Sequence, residues 1–198
     1  MTSVLQTTAE RPGALASPGA GGTREPARPP GATTPPPWLD ALGLVSIARG
    51  LARNVDLWPE MARPTRRMWD LMVATENFEA WVIGWPPGGA IELHDHGPAA
   101  GALVVARGDL LETAVRTGEG GLHTDLTVVP SGGSITFGPG HIHDVTNIGT
   151  EPAVSVHVYA PRLTAMTTYD IAGGRLEPGR TALYERGRST CSASDGPA

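Results

Sequence analysis

Two histidines separated by one residue, His94 and His96, are the residues whose types and spacing are best suited to chemistry. Alternate side chains of a β-strand point to the same side, so a strand here would place both imidazoles on one face. Two neutral imidazoles side by side provide half of a site for iron, zinc, copper or nickel. A third histidine, His143, follows a Gly-Pro-Gly turn in another strand-like segment. We therefore predict a metal site with His94, His96 and His143 as its ligands.

The segments that carry these histidines are typical of an all-β domain. After Pro64, short apolar runs alternate with turn sequences rich in glycine and proline. Valine, isoleucine and threonine dominate several of the runs, as half-buried strands favour. Short strands at even spacing predict an antiparallel sandwich or barrel. Before them, apolar residues between Leu39 and Val55 recur near helical spacing, which predicts one or two short N-terminal helices that pack against the outer face of the sheets.

Composition divides the chain into three parts. Residues 1–37 are rich in Pro, Gly, Ala and Thr and are expected to be disordered, residues 38–185 form the predicted domain, and residues 186–198 are an expected disordered tail.

The net charge of -5, without a basic stripe, argues against nucleic acid as a partner. Without a membrane-length apolar run or a signal-peptide pattern, we expect a cytoplasmic protein with no membrane partner. The single cysteine, Cys191, lies in the tail and has no partner for an internal disulfide.

The residues around the histidines resemble the two sequence motifs of the cupin superfamily. In the first motif Gly88 precedes His94 and Gly108 closes the segment, and in the second Asn147 follows His143. The motifs are specific when taken together, although each alone is a weak signal. The resemblance implies a jelly-roll-like antiparallel β-barrel with a metal in its mouth.

One position departs from the usual cupin pattern. Most metal-binding cupins have a glutamate ligand where this chain has Gly101, so the resemblance implies three protein ligands, all histidine. His157 and Tyr159 match the paired histidine and tyrosine of the cysteine dioxygenase family of thiol dioxygenases. Animal members cross-link that tyrosine to a cysteine at the Gly101 position, whereas bacterial members often have glycine there. The chain therefore resembles the bacterial type, with Tyr159 as an uncross-linked phenol.

The resemblance implies a non-haem Fe²⁺ enzyme that oxidises L-cysteine to cysteine sulfinate with dioxygen. Three imidazoles on one face of an octahedral ion would leave three positions for thiolate, amine and dioxygen. Tyr159 and His157 would be the catalytic residues. The phenol of Tyr159 would lie near the open positions, and His157 would orient it.

A zwitterionic substrate also needs a partner for its carboxylate, and an arginine fork suits this role. Arg66 lies where the family carries its carboxylate-binding arginine, and we predict it as the substrate-binding residue. Alternation sends Arg66 and Arg67 to opposite faces, so a slip of one residue would give the role to Arg67. Trp85 matches a family tryptophan and is assigned to packing. His141 is a runner-up ligand, and His123 is assigned to the surface.

Other functions remain open from the sequence. A 3-mercaptopropionate or other small-thiol dioxygenase would look similar, although such enzymes typically carry glutamine at the Arg66 position. A different metal cupin, such as a dioxygenase acting on a ring substrate or an isomerase, is disfavoured by the missing glutamate and by the presence of His157 with Tyr159. A non-catalytic metal-binding sensor would be under no demand to keep all three histidines. The oligomeric state is not set by the sequence, and a monomer is compatible with it.

Overall fold

The structure, a computed structural model, describes residue 36 and residues 39–184. Apart from residue 36, the extension predicted over residues 1–37 lies outside the described residues. The tail predicted over residues 186–198, with Cys191, also lies outside them. Within the described ranges, no helix combines the length and the apolar character needed to cross a membrane.

Strands dominate the described residues and follow a short helical segment. The helix α1 spans Ala41–Ala52, and two 3-10 helices span Val55–Leu57 and Pro59–Ala62. The strands are β1 (Met68–Ala74), β2 (Glu79–Trp85), β3 (Ala90–His94), β4 (Ala100–Arg107), β5 (Leu110–Gly118), β6 (Gly121–Val129), β7 (Ser134–Phe137), β8 (Ile142–Asn147), β9 (Ala153–Ala160), β10 (Ala165–Ala172) and β11 (Arg175–Leu183). The predicted all-β class with short N-terminal helices is confirmed.

The strands form two antiparallel sheets between which the chain passes repeatedly. The five-stranded sheet has the order β1-β2-β9-β4-β7, and the six-stranded sheet has the order β11-β10-β3-β8-β5-β6. Few of these neighbours are consecutive in sequence, so residues distant in the chain meet across the interior. The predicted jelly-roll-like architecture is confirmed in the form of two sheets.

The main hydrophobic core contains residues from the inner faces of both sheets. The five-stranded sheet contributes Trp85 and Leu103, and the six-stranded sheet contributes Leu110 and Val145. The helix α1 packs on the outer face of the five-stranded sheet, as its apolar pattern predicts. That sheet is therefore covered on both sides.

Strand β9 lies in the middle of the five-stranded sheet, and all eight of its residues are buried. Val156 and Val158 belong to the cluster beneath α1. Because alternate residues face opposite ways, Ser155, His157 and Tyr159 face the interior. Burial on both faces fixes this strand, and it can hold three polar side chains in a defined row.

Asn147 at the end of β8 ties together the loops at one end of the domain. Its Nδ2 lies 3.2 Å from the Trp85 carbonyl oxygen, 3.1 Å from that of Pro86 and 2.9 Å from that of Glu151. Its Oδ1 accepts a hydrogen bond of 2.9 Å from the backbone N–H of Gly149. The side chain is buried, so its loss would leave several polar backbone groups without a partner.

We expect Asn147→Asp to destabilise the protein although the side chain keeps its shape, because a carboxylate would then face three carbonyl oxygens. The loss of free energy of unfolding should be on the order of 3 kcal/mol, and that of Asn147→Ala should be similar. Urea unfolding measures both. Asn54, whose side chain makes an exposed hydrogen bond to Gly50, is the control: Asn54→Ala should cost below about 1 kcal/mol. An Asn147→Asp protein as stable as the wild type would contradict this account.

Candidate active site

The three predicted ligands meet in the interior at one end of β3. His94 is the last residue of β3 and pairs with His143 of β8, whereas His96 lies beyond the end of the strand. The expected single strand through His94 and His96 is therefore not observed. Their Nε2 atoms are nonetheless 3.2 Å apart, and one ligand nitrogen from each of the three histidines lies within 4.8 Å of the others. All three side chains are buried.

Asp95 fixes the direction of the chain between the two histidines. Its Oδ1 accepts hydrogen bonds from the backbone N–H groups of Gly97, at 3.0 Å, and Thr167, at 3.2 Å. Its Oδ2 accepts a hydrogen bond of 2.7 Å from the hydroxyl of Tyr169. These contacts anchor the segment after β3 to β10, and they allow His96 to turn back toward His94.

Hydrogen bonds on the outer side of two imidazoles decide which nitrogen carries the proton. Nδ1 of His94 lies 2.7 Å from the carbonyl oxygen of Glu92, which can only accept, so this Nδ1 is the donor. Nδ1 of His143 lies 2.8 Å from Oε1 of Glu112 and donates to that carboxylate. In the neutral imidazoles, the Nε2 atoms of His94 and His143 then present lone pairs.

The donor set fits a divalent metal ion. Burial, with the neighbouring imidazoles, holds the pKa of His94 and that of His96 well below the ordinary value, so both rings are neutral near pH 7. Nδ1 of His96 is buried and has no hydrogen-bond partner among the described residues. If it carries the proton, the Nε2 of His96 joins the other two as a ligand. Three neutral nitrogens that face one another suit iron, zinc, copper or nickel.

A chain of hydrogen bonds crosses the interior from Trp85 to Tyr159. Nε1 of Trp85 donates to Oγ of Ser155 at 2.8 Å, and that Oγ lies 2.9 Å from Nε2 of His157. Nδ1 of His157 lies 3.2 Å from the hydroxyl oxygen of Tyr159. Since the indole can only donate, the Ser155 hydroxyl accepts from it and best donates to His157. Nδ1 of His157 then donates to Tyr159, and the phenol proton remains available for another acceptor.

Tyr159 lies beside the histidine group. Its ring centroid is 4.8 Å from that of His96. Burial raises the pKa of Tyr159 far above its ordinary value, and burial lowers the pKa of His157 to about 3. The phenol is therefore protonated and His157 is neutral near pH 7. Trp85, which the sequence assigned to packing, also supplies the first donor of this chain.

Gly101 is required by the position of Phe137. In the five-stranded sheet, Gly101 of β4 pairs with Tyr159 on one side and with Phe137 on the other. A Cβ atom at Gly101 would lie 2.4 Å from the Phe137 ring, which is closer than real contacts allow. The same ring stacks on His96 with 4.9 Å between centroids. The aromatic ring thus fills the place that a side chain at position 101 would occupy.

The two candidate arginines face opposite ways, and Arg66, the one predicted to bind the substrate, is the outward one. The Arg66 side chain is exposed, whereas that of Arg67 turns inward. Cζ of Arg67 lies 4.9 Å from the ring centroid of Trp69 and 5.7 Å from that of Trp85. Arg67 shares the inward face of the chain with Trp69, two residues later in β1, so alternation sends Arg66 outward. Arg67 also lies within electrostatic reach of Tyr159.

Three residues near the site were missed by the sequence reasoning. Ser155 and Glu112 are buried polar residues at inward strand positions, and Phe137 ends β7. The signal for Ser155 was its even spacing from His157, and the signal for Glu112 was a charge at an otherwise inward-facing position of β5. Nε2 of His141, the runner-up ligand, contacts Oε1 of Glu112, and its ring centroid lies 4.8 Å from that of His143. His123 is exposed, as expected.

Comparison with known proteins identifies the family. A family model described as cysteine dioxygenase type I matches residues 43–172, which is more than half of the chain. The protein belongs to the cysteine dioxygenase type I family.

The solved structures that this chain resembles have low sequence identity to it. An oxalate oxidase in complex with the substrate analogue glycolate is 21% identical, with a TM-score of 0.44, over 50% of this chain and 53% of that chain. This chain thus spans about half the length of that protein. The cupin domain of Cnp3 from Schizosaccharomyces pombe is 17% identical, with a TM-score of 0.42, over 48% of this chain and 60% of that chain. A double-stranded β-helix protein from Klebsiella pneumoniae is 22% identical, with a TM-score of 0.42, over 62% of this chain and 93% of that chain.

The contact between Gly101 and Phe137 predicts that a side chain at position 101 lowers the stability of the protein, and that the loss depends on whether the Phe137 ring is present. Gly101→Ala should lower the free energy of unfolding by roughly 1 to 3 kcal/mol, because the new methyl group must displace the ring. Adding Phe137→Ala should remove part of that cost, so the two changes should be non-additive in urea unfolding. Gly50 in α1 is the control, because a Cβ atom added there would meet no neighbouring atom within 4 Å. Gly50→Ala should stabilise the protein by up to about 1 kcal/mol. Additive effects of the Gly101 and Phe137 changes would refute the contact.

The buried His157 predicts that the stability of the metal-free protein depends on pH. Its pKa is about 3 in the folded protein and about 6.5 in an unfolded chain, so only the unfolded chain binds this proton between those values. Stability should therefore fall as the pH falls through this window. Urea unfolding at several pH values should show a shallower fall for His157→Gln. The exposed His123→Gln should match the wild type. An unchanged slope in His157→Gln would be inconsistent with a buried, neutral His157.

Proposed function

We propose that the protein is a non-haem ferrous iron dioxygenase that oxidises L-cysteine to cysteine sulfinate. The observation that carries this proposal is that three buried histidines converge beside the Tyr159 chain, with the cation of Arg67 facing the same interior. Family membership supports a thiol as the substrate. The reaction adds both atoms of one dioxygen molecule to the sulfur, so it needs no further reductant.

The metal would be held through the Nε2 atoms of His94, His96 and His143. Bound iron would supply the open coordination positions at which the thiolate and dioxygen combine. The protein would contribute three neutral ligands in fixed orientations. With Gly101 at the position of the usual cupin carboxylate, the substrate thiolate would supply the anionic partner of the metal.

Arg67 would bind the substrate carboxylate. Burial lowers the pKa of Arg67 to about 10, which still leaves the guanidinium charged near pH 7. Trp69 and Trp85 lie close to the guanidinium and restrict its movement. In such a partly desolvated site, an ion pair with the substrate carboxylate contributes more to the binding free energy than it would at the surface.

Tyr159 would hold a proton close to the reacting sulfur and dioxygen. Ser155 and His157 fix the direction of the hydrogen-bond chain, so the phenol hydroxyl keeps its proton for an acceptor in the site. Its high pKa keeps the phenol from ionising. The residue therefore acts as a positioned donor rather than as a base.

A second candidate function is suggested by the same arginine. Arg67 would pair equally well with the carboxylate of 3-mercaptopropionate, which carries a thiol and a carboxylate but no amine. Cysteamine, which carries a thiol and an amine but no carboxylate, would lose the contact with Arg67. The structure thus favours carboxylate-bearing thiols, and family membership favours cysteine among them.

The proposal is tested by oxygen uptake of the iron-loaded protein with cysteine, cysteamine and 3-mercaptopropionate. We expect the highest kcat/KM with cysteine, with one dioxygen consumed for each cysteine sulfinate formed. A higher kcat/KM with 3-mercaptopropionate would establish the second candidate. No uptake with any of the three thiols by protein of full iron content would reject a thiol dioxygenase and favour a non-catalytic metal-binding protein.

Because the carboxylate-binding role is proposed for Arg67 and not for its neighbour Arg66, the two residues give a matched pair of variants. Arg67→Gln should raise the KM for cysteine, with a loss in kcat/KM on the order of 2 to 5 kcal/mol if the ion pair is desolvated. Arg66→Gln should leave the cysteine kinetics near those of the wild type, because that side chain is exposed. Steady-state oxygen uptake measures both. A loss confined to Arg66→Gln would return the carboxylate-binding role to Arg66.

A further inference from the structure

A buried carboxylate lies behind His143, on the side away from the three-histidine group. Glu112 lies on β5 beside β8, where its direct partner across the ladder is Val145. Its Oε1 lies 2.8 Å from Nδ1 of His143 and 2.9 Å from Nε2 of His141. The side chain is only 8% exposed, so the carboxylate depends on these two imidazoles for much of its stabilisation.

The two contacts set the direction of the hydrogen bonds. A carboxylate can only accept, so both His143 and His141 donate to the same oxygen. A donor at Nδ1 of His143 leaves its Nε2 for a metal. A carboxylate that accepts this hydrogen bond also increases the electron density on the His143 ring, which makes its Nε2 a stronger ligand.

His141 contacts a second ligand through an aromatic ring. Its imidazole stacks on Phe137 with 5.4 Å between centroids and 12° between planes. The ring of Phe137 in turn stacks on His96 with 4.9 Å between centroids and 18° between planes. His141 is partly exposed, with 27% of its side chain accessible. It therefore connects the surface of the domain to both His143 and His96.

We propose that Glu112 and His141 are positioning residues for the metal centre. Glu112 orients His143 and strengthens it as a ligand, and His141 holds the Glu112 carboxylate in place and packs Phe137 against His96. This inference rests on the metal-binding part of the proposed function and is independent of the thiol substrate.

A second metal ion held by Glu112, His141 and His143 is a different interpretation of the same cluster, since their ligand atoms also lie within 4.8 Å of one another. Such an ion would need His143 to bind metal through both nitrogens, and His143 would then lose the proton that it donates to Glu112. Hydrogen bonds of 2.8 and 2.9 Å to one oxygen favour the positioning role. The stoichiometry of metal binding distinguishes the two interpretations.

The test is a competition between the protein and a chromophoric chelator for Co²⁺, with the absorption spectrum of the bound Co²⁺ recorded. Glu112→Gln keeps the shape but removes the charge, and it should weaken Co²⁺ binding by roughly 10- to 100-fold and shift the Co²⁺ absorption bands. His141→Asn should weaken it less. The double variant should bind more weakly than Glu112→Gln alone, but by less than His141→Asn weakens binding in the wild type, because only part of the effect of His141 passes through Glu112. Exposed Glu119→Gln and His123→Asn are the controls and should bind as the wild type does.

The outcomes separate this inference from the catalytic proposal. Wild-type Co²⁺ affinity and an unchanged spectrum in Glu112→Gln would overturn it. Two Co²⁺ ions per wild-type chain, with one lost in Glu112→Gln, would overturn it in favour of a second metal site. If Glu112→Gln fails to fold, His141→Asn must still show weaker binding, and wild-type affinity there would overturn the role of His141. A protein that shows the expected losses but oxidises no thiol would keep the positioning role and reject only the proposed reaction.

Discussion

Three neutral imidazoles whose lone pairs face one another in a buried space form the arrangement on which the rest of this structure depends. Such an arrangement is unfavourable without a cation, and it holds its geometry only if each ring is anchored from behind. The Glu92 carbonyl anchors His94, and the Glu112 carboxylate anchors His143. For His96, stacking on Phe137 takes the place of a hydrogen bond. The outer contacts thus determine both the orientation of the three rings and the nitrogen that would face a metal.

Each of the two sheets carries a different part of the site. The predicted ligands His94 and His143 belong to the six-stranded sheet, and the hydrogen-bonded row of Ser155, His157 and Tyr159 belongs to the five-stranded sheet. The outer face of the five-stranded sheet is covered by α1, so β9 is held in a fully buried position. A rigid strand on each side of the interior gives a fixed separation between the three-histidine group and the phenol.

Sequence reasoning found the residues whose types and spacing are themselves the signal. The three predicted ligands follow from motif spacing, the pair His157 and Tyr159 follows from the resemblance to the cysteine dioxygenase family, and the strands follow from the turns between them. The choice between Arg66 and Arg67 was not decided by the sequence, because both residues lie just before β1 and its register could not be fixed. Side-chain direction in such a position depends on how the next strand packs.

Contacts between distant parts of the chain were beyond the reach of the sequence. Glu112 precedes His143 by 31 positions, and no local pattern joins them. The steric reason for Gly101 also became visible only when β4 and β7 were placed side by side, with Phe137 over the glycine. In both cases the partner is chosen by sheet topology rather than by spacing along the sequence.

The central claim is that three histidines, and no protein carboxylate, bind the metal. X-ray absorption spectroscopy of the iron-loaded protein without substrate tests this most directly, because multiple scattering from imidazole rings reports the number of histidine ligands. The account predicts three imidazoles, with the remaining positions filled by solvent. A spectrum of His143→Ala that still requires three imidazoles, or a wild-type spectrum that requires a protein carboxylate such as Glu112 bound to iron, would contradict it.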